Sequence, residues 1–184
     1  MTHNTTSLTG KIMRKKQSII PMPVVIIPGP AAVGKTTVGK GLARNIDAAY
    51  ISYDKVMEEH GLDTIEGDGI PTEHFLEADR IILRRVEGYK LVILDGCFYR
   101  SEHIENLREK VDSLFIVSLD APVEECLRRN RERESDMRDN DVRAVHDLVG
   151  EVTAGERVDT AGKTTRELIN EITALLARNG FLDG

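Results

Sequence analysis

Gly29-Pro30-Ala31-Ala32-Val33-Gly34-Lys35-Thr36 follows the apolar run Val24-Val25-Ile26-Ile27 and leads into Thr37-Val38-Gly39-Lys40-Gly41-Leu42-Ala43. The apolar run has the composition of a buried β-strand, and the segment from Lys35 to Arg44 can continue as a helix. Between them stands the spacing G-x-x-x-x-G-K-[ST], in the strand-loop-helix setting that a phosphate-binding loop requires. The glycines let the backbone curl until successive N–H groups point inward, and the helix N-terminus adds partial positive charge, so the loop can wrap a polyphosphate. Lys35 would reach the β- and γ-phosphates of a nucleotide such as ATP, and the Thr36 hydroxyl would ligate Mg²⁺. The candidate nucleotide-binding residues are therefore Gly29, Ala31, Ala32, Val33, Gly34, Lys35, Thr36 and Thr37.

Composition narrows the remaining classes. A chain of 184 residues suits one domain able to bury a core without staples. Charged residues make up 30% and apolar residues 40%, ordinary for a globular chain. A formal net charge of −6 gives no general electrostatic reason to bind nucleic acid or an anionic membrane. Cys97 and Cys126 form no metal-ligand spacing, so a reducing, cytoplasmic setting is the expectation. The sequence carries no signal for oligomeric state.

Residues 1–22 read as a flexible tail, polar from Thr2 to Thr9 and basic at Lys11, Arg14, Lys15 and Lys16, with the folded domain running from 23 to 184. Pro21 and Pro23 interrupt the one apolar stretch that could serve as a secretory signal, and no segment approaches the ~20 apolar residues of a membrane span.

After the first helix, Asn45 and Asp47 turn the chain into a short second strand, Ala48-Ala49-Tyr50-Ile51-Ser52. Asp54 follows at the carboxyl end of that strand, the edge where open α/β sheets gather ligands. A carboxylate there can take the proton of an attacking hydroxyl and orient it toward a γ-phosphate; equally, Ser52 or Asp54 can cap a helix over Lys55 to Glu59. Residues 60–72 carry glycines, Asp63, Asp68 and Pro71 without a period, as expected of a mobile lip over a site. Thr72 is placed to cap a helix whose inner face carries Phe75, Leu76, Ile82, Leu83 and Val86 and whose outer face carries Arg80, Arg84 and Arg85.

Lys90-Leu91-Val92-Ile93-Leu94-Asp95-Gly96 describes a buried strand that delivers Asp95 to its carboxyl end, where a carboxylate holds Mg²⁺ or its waters beside the phosphate loop. Ser101 can cap a helix with Ile104, Leu107 and Val111 inward. A fourth strand, Leu114 to Leu119, precedes a helix entered at Pro122. That helix brings Arg129 and Arg133 to one face, where two guanidinium groups could neutralise charge on a transferred phosphoryl group. Val142, Val145, Val149 and Val152 mark a further helix, Arg157 to Thr160 a fifth strand, and Thr164 with Glu167 a capping box for a last helix ending at Asn179-Gly180. Strands alternating with helices imply a parallel sheet covered on both faces.

Taken together, the phosphate loop, Ser52-x-Asp54, Leu94-Asp95-Gly96, Leu119-x-Ala121-Pro122-x-Glu124-Glu125-Cys126-x-x-Arg129-Asn130-x-x-Arg133 and Val158-Asp159-Thr160 resemble the small P-loop kinases. The pattern is most similar to the group related to polynucleotide 5′-kinase, zeta toxin and chloramphenicol phosphotransferase, over roughly residues 24–179. The resemblance implies a three-layer α/β P-loop NTPase fold with sheet order 2-3-1-4-5 and ATP-dependent phosphorylation of a hydroxyl on a small-molecule acceptor. It implies that Lys35 and Thr36 bind phosphate and Mg²⁺, that Asp54 is the base, and that Arg129 and Arg133 belong to a mobile lid around 126–140. Many relatives place an arginine three residues after the base, where this chain has Met57. Asp95-Gly96-Cys97-Phe98-Tyr99-Arg100 is similar to the Asp-Gly-aromatic-Pro-Arg stretch of adenylate kinases, one residue longer and without the proline. Arg100, with Arg80 and Arg84, is thereby a possible acceptor-binding group. A nucleoside monophosphate kinase, a polynucleotide 5′-hydroxyl kinase and a non-catalytic nucleotide switch are the alternatives.

Overall fold

Two faces of one sheet receive alternate residues of its central strand, and this alternation organises the computed structural model, which describes residues 20–67, 69–133, 135–151 and 154–182. In chain order the elements are β1 (Ile20–Pro28), α1 (Lys35–Asn45), β2 (Ala49–Ser52), α2 (Tyr53–Glu59), α3 (Thr72–Arg85), β3 (Val92–Gly96), α4 (Ser101–Arg108), β4 (Val111–Asp120), α5 (Val123–Glu132), α6 (Asp139–Gly150), β5 (Glu156–Asp159) and α7 (Thr165–Arg178). The five strands pair in parallel in the order β2-β3-β1-β4-β5. This is the sheet order that the resemblance implied.

Along β1, Val25 and Ile27 enter one core with α1 and α7, including Val38, Leu42, Ile172 and Leu176. Met22, Val24 and Ile26 enter a second core with Val56, Phe75, Ile82, Ile104 and Leu107 from α2, α3 and α4. β3 alternates likewise, with Ile93 in the first core and Val92 and Leu94 in the second. A strand buried on both faces needs this continuous apolar run rather than a polar alternation. Each fully buried aliphatic side chain contributes about 1.5–3 kcal/mol of transfer free energy, so the central strands anchor the domain.

β1 lies between β3 and β4, and the chain crosses to opposite sides of it, so the crevice at the carboxyl ends of β1 and β3 is the switch point of the sheet. Register brings Ile27 level with Asp95, Pro28 level with Gly96, and Ser52 level with Asp95. The loop after β1, the acid ending β3 and the turn after β2 therefore meet at one edge.

Several boundaries differ from the sequence expectation. β1 begins at Ile20, inside the stretch assigned to a tail of 1–22, and Met22 is buried. Pro21 and Pro23 are accommodated because pairing with β3 starts only at Val24 and the pairing with β4 shifts register between Ile20 and Pro23. Val111 belongs to β4 rather than to the preceding helix, and β4 runs three residues ahead of the expected Leu114 start. α2 starts at Tyr53, not Lys55, so Asp54 lies within its first turn. Neither Thr72 nor Ser101 caps: each is the first helical residue, behind Pro71 and Arg100, and no side-chain cap bond forms at either start. The capping box of Thr164 and Glu167 forms as expected. The tail residues 1–19, Asp68 of the expected lip and Val152 of the valine stripe lie outside the described residues.

Candidate active site

The loop Gly29–Gly34 joins β1 to α1, and Gly34 holds the N-cap position of α1 in the left-handed region at φ 108°, which strongly favours glycine. No side chain caps α1. The N–H groups of its first turn are thus left for a ligand, and they carry the positive end of the helix dipole. Lys35, nine-tenths buried, folds its ammonium back onto the loop, donating to the carbonyls of Gly29 and Pro30 at 2.9 Å each.

One turn of helix places Thr36 toward β3, where its hydroxyl donates to Asp95 Oδ2 at 2.7 Å. Asp95 is 1% exposed, and its Oδ1 is buried without a partner among the described residues. A buried carboxylate oxygen without a donor is costly unless something charged satisfies it. A carboxylate and a hydroxyl side by side are hard oxygen donors of the kind that fit Mg²⁺.

Asp54 completes the edge from the β2 side. The Cys97 N–H points at Asp54 Oδ1 at 3.4 Å, and the Cys97 thiol lies 3.8 Å from Oδ2. The absence of a side chain at Gly96 lets the first turn of α2 and the Phe98 ring close on this edge, since a Cβ there would stand 2.9 Å from Tyr53 Cβ, 3.1 Å from the Phe98 ring and 3.3 Å from Asp54 Oδ1. Asp54 remains open to solvent on one side but stands in a cleft crowded by protein. That crowding pushes its carboxyl above the ordinary aspartate range, while the Lys35 charge and the Cys97 N–H pull it back and the Asp95 charge adds to the rise. Cys97 lies 4.0 Å from Lys35 Nζ, and burial pushes its thiol up to about 11. The Tyr50 hydroxyl is pushed up to about 12, first by burial and then by the charge of Asp95.

Arg129 reaches the loop from α5. Its Nη1 donates to the Val33 carbonyl at 3.0 Å and to Thr160 Oγ1 at 2.9 Å, its Nη2 to the Thr160 carbonyl at 3.0 Å, and its Nε to Glu125 at 2.8 Å. Arg133, four residues on, is not brought to the loop; it donates to Asn130 Oδ1 at 3.0 Å and to Ser135 Oγ at 3.4 Å. Arg80 is held by Glu77 at 2.7 Å on the exposed face of α3, and Arg84 is exposed on the same face. Arg100 is half-buried beside Gly69 and the Tyr99 ring, 5.7 Å from the ring centre, so these three arginines share no partner among the described residues. Met57, standing where relatives place an arginine, is 3% exposed and packs in the second core.

A family model described as "AAA domain" matches residues 25–148, from within β1 to the last turn of α6. The chain belongs to this AAA domain family. The chain is similar to a Pyrococcus furiosus protein named "Putative adenylate kinase", 26% identical over 158 residues that cover 83% of both chains. Among solved structures it is similar to a gluconokinase from Sinorhizobium meliloti, with TM-score 0.68 and 22% identity over 87% of this chain and 94% of that one. It is also similar to a shikimate kinase from Acinetobacter baumannii, with TM-score 0.61 and 23% identity over 87% and 96% of the two chains. This AAA domain thus has the fold of the small P-loop kinases.

Sequence reasoning missed Cys97 as a neighbour of Asp54 and Tyr50 as a neighbour of Asp95. It also missed a buried acid, Asp79. Asp79 is four residues after Phe75 and three and four before Ile82 and Leu83, so an acid on the apolar face of α3 was the available signal.

Proposed function

We propose that this AAA domain is an ATP- and Mg²⁺-dependent phosphotransferase that moves the γ-phosphoryl group to a hydroxyl of a small-molecule acceptor. The observation that carries the reading is the place of Asp54: a carboxylate open to solvent, held by Cys97 at the same sheet edge as Lys35, Thr36 and Asp95. A switch has no need of a solvent-open carboxylate beside the loop, whereas a kinase needs a base there.

In this reading the loop N–H groups and Lys35 exchange their present carbonyl partners for the β- and γ-phosphates of ATP. Mg²⁺ would be held by Thr36 and Asp95 and would supply neutralising charge to those phosphates. Asp54 accepts the proton of the acceptor hydroxyl. The freed oxygen bonds to the γ-phosphorus as the bond from that phosphorus to the β–γ bridging oxygen breaks, giving a phosphate ester and ADP, and Asp54 then yields its proton to solvent. Arg129, already seated against the loop, would spread positive charge over the transferred group, and Arg133 would join it by movement of a lid over 126–140.

A second reading, with a nucleoside monophosphate as acceptor, is favoured by one observation: Arg100 Nε is buried with no hydrogen-bond partner among the described residues, a donor left over beside the site. Arg80 and Arg84 would have to turn inward to join it.

Asp54→Asn separates binding from chemistry. The substitution should leave ATP affinity nearly unchanged and lower phosphoryl transfer by about 10²-fold or more; an unchanged rate would refute the assignment of the base.

A further inference from the structure

Asp79 is 0% exposed and carries four donors from three directions. On Oδ1 it receives the Tyr53 hydroxyl at 2.9 Å and His103 Nε2 at 3.0 Å. On Oδ2 it receives Asn106 Nδ2 at 2.8 Å and Lys110 Nζ at 3.2 Å. A buried carboxylate so fully satisfied orders everything that donates to it, because releasing any one donor strands a charge away from water. Its donors come from α2, from α4 and from the turn into β4, while Asp79 itself stands on α3.

Two of these donors lead to the two supports of Asp54. Tyr53 is its chain neighbour in the first turn of α2, and the same hydroxyl lies 2.9 Å from the Phe75 carbonyl. His103 stacks on Phe98, ring centres 5.2 Å apart and planes 12° from parallel, while the Tyr53 ring touches both, at 5.2 Å from Phe98 and 4.8 Å from His103. Phe98 sits at φ 44°, a left-handed conformation that a bulky side chain adopts only when its surroundings impose it. It directly follows Cys97, whose N–H faces the Asp54 carboxylate.

We propose that Asp79 is the positioning residue of Asp54, fixing the backbone that carries the carboxylate through Tyr53 and the N–H that orients it through His103 and Phe98. The proposal rests on the reading of Asp54 as the base. Asp79 touches no reacting atom; it acts only through the α2 turn and the Cys97-Phe98 turn.

Tyr53→Phe removes one hydroxyl and keeps the ring in the core, so it is the variant of choice, with Asp79→Asn as the second. The rate is phosphate release from ATP with Mg²⁺ and water as the acceptor probe, measured for wild type, Tyr53→Phe, Asp54→Asn and the double variant. Tyr53→Phe should slow release by about tenfold or more, as misplacement of a catalytic group does, and should add nothing in the Asp54→Asn background. Hydrogen exchange of the unliganded Asp79→Asn protein should rise at 53–55 and 97–98 while the phosphate loop keeps its protection. If Asp54→Asn is slow and the double variant is slower by the full Tyr53→Phe factor, the positioning role is overturned and the base survives. Exchange rising evenly along the chain, or not at all at those two turns, also overturns it. If Asp54→Asn does not slow release, the base assignment fails and the proposal falls with it.

Discussion

Thr36 donates its hydroxyl to Asp95 at 2.7 Å, so the residue that follows the loop lysine and the acid that ends β3 are joined across the switch point of the sheet. The other oxygen of Asp95 is buried and has no hydrogen-bond partner among the described residues. Asp95→Asn keeps the shape and halves the acceptor capacity. The Mg²⁺ concentration for half-maximal turnover should rise at least about tenfold, with ATP affinity in the absence of metal little changed. A metal titration that coincides with wild type would remove Asp95 from the metal site.

Lys35 donates to two loop carbonyls, so its buried ammonium is paired. Lys35→Ala should abolish turnover by removing the charge that meets the phosphates, and near-normal turnover would refute the phosphate-loop assignment.

The raised carboxyl of Asp54 has a kinetic and a thermodynamic consequence. As a base it must be ionised, so the acid limb of the pH–rate profile should lie above the ordinary aspartate range and vanish in Asp54→Asn. For an acid whose folded value is raised, the folded state binds the proton more tightly than the unfolded state. Its destabilising effect is therefore absent at low pH and grows as pH rises past the unfolded value. Asp54→Asn should accordingly be more stable than wild type at neutral pH and gain nothing below about pH 4, as thermal unfolding at the two pH values would report.

Arg129 ties α5, the phosphate loop and the turn after β5 with one guanidinium fork. Arg129→Lys cannot reproduce that fork and leaves the carbonyl of the fully buried Thr160 short of a donor. A loss of about 1–3 kcal/mol in stability is expected, together with weaker ATP binding, and denaturant unfolding with nucleotide titration measures both.

The strands at the centre of the sheet were legible as apolar runs, but their order came from the resemblance to the small P-loop kinases: Ala49–Ser52 and Glu156–Asp159 are short and partly polar, and nothing in them names the neighbouring strand. The meeting of Thr36 with Asp95 was legible in the residues, since strand-loop-helix geometry fixes where a residue beside the loop lysine points. The edges were harder. The polar and basic composition of the first residues suggested a tail of 1–22, yet β1 extends back to Ile20, and Pro21 and Pro23 are tolerated because their missing N–H groups fall where only one neighbouring strand pairs. Asp79 escaped the sequence reading because only tertiary packing brings it donors from α2 and α4. The directions of Arg133, Arg80, Arg84 and Arg100 depend on rotamers and local partners that helical spacing does not specify.

The central claim is transfer to a hydroxyl, and ADP formation with Mg²⁺ and ATP across a panel of sugars, polyols, nucleosides, nucleoside monophosphates and 5′-hydroxyl oligonucleotides tests it directly. One class of small-molecule hydroxyl acceptor should raise ADP formation above the rate with water and emerge carrying phosphate. ATP that binds tightly while no acceptor raises that rate would contradict the account and leave a nucleotide-binding switch in its place.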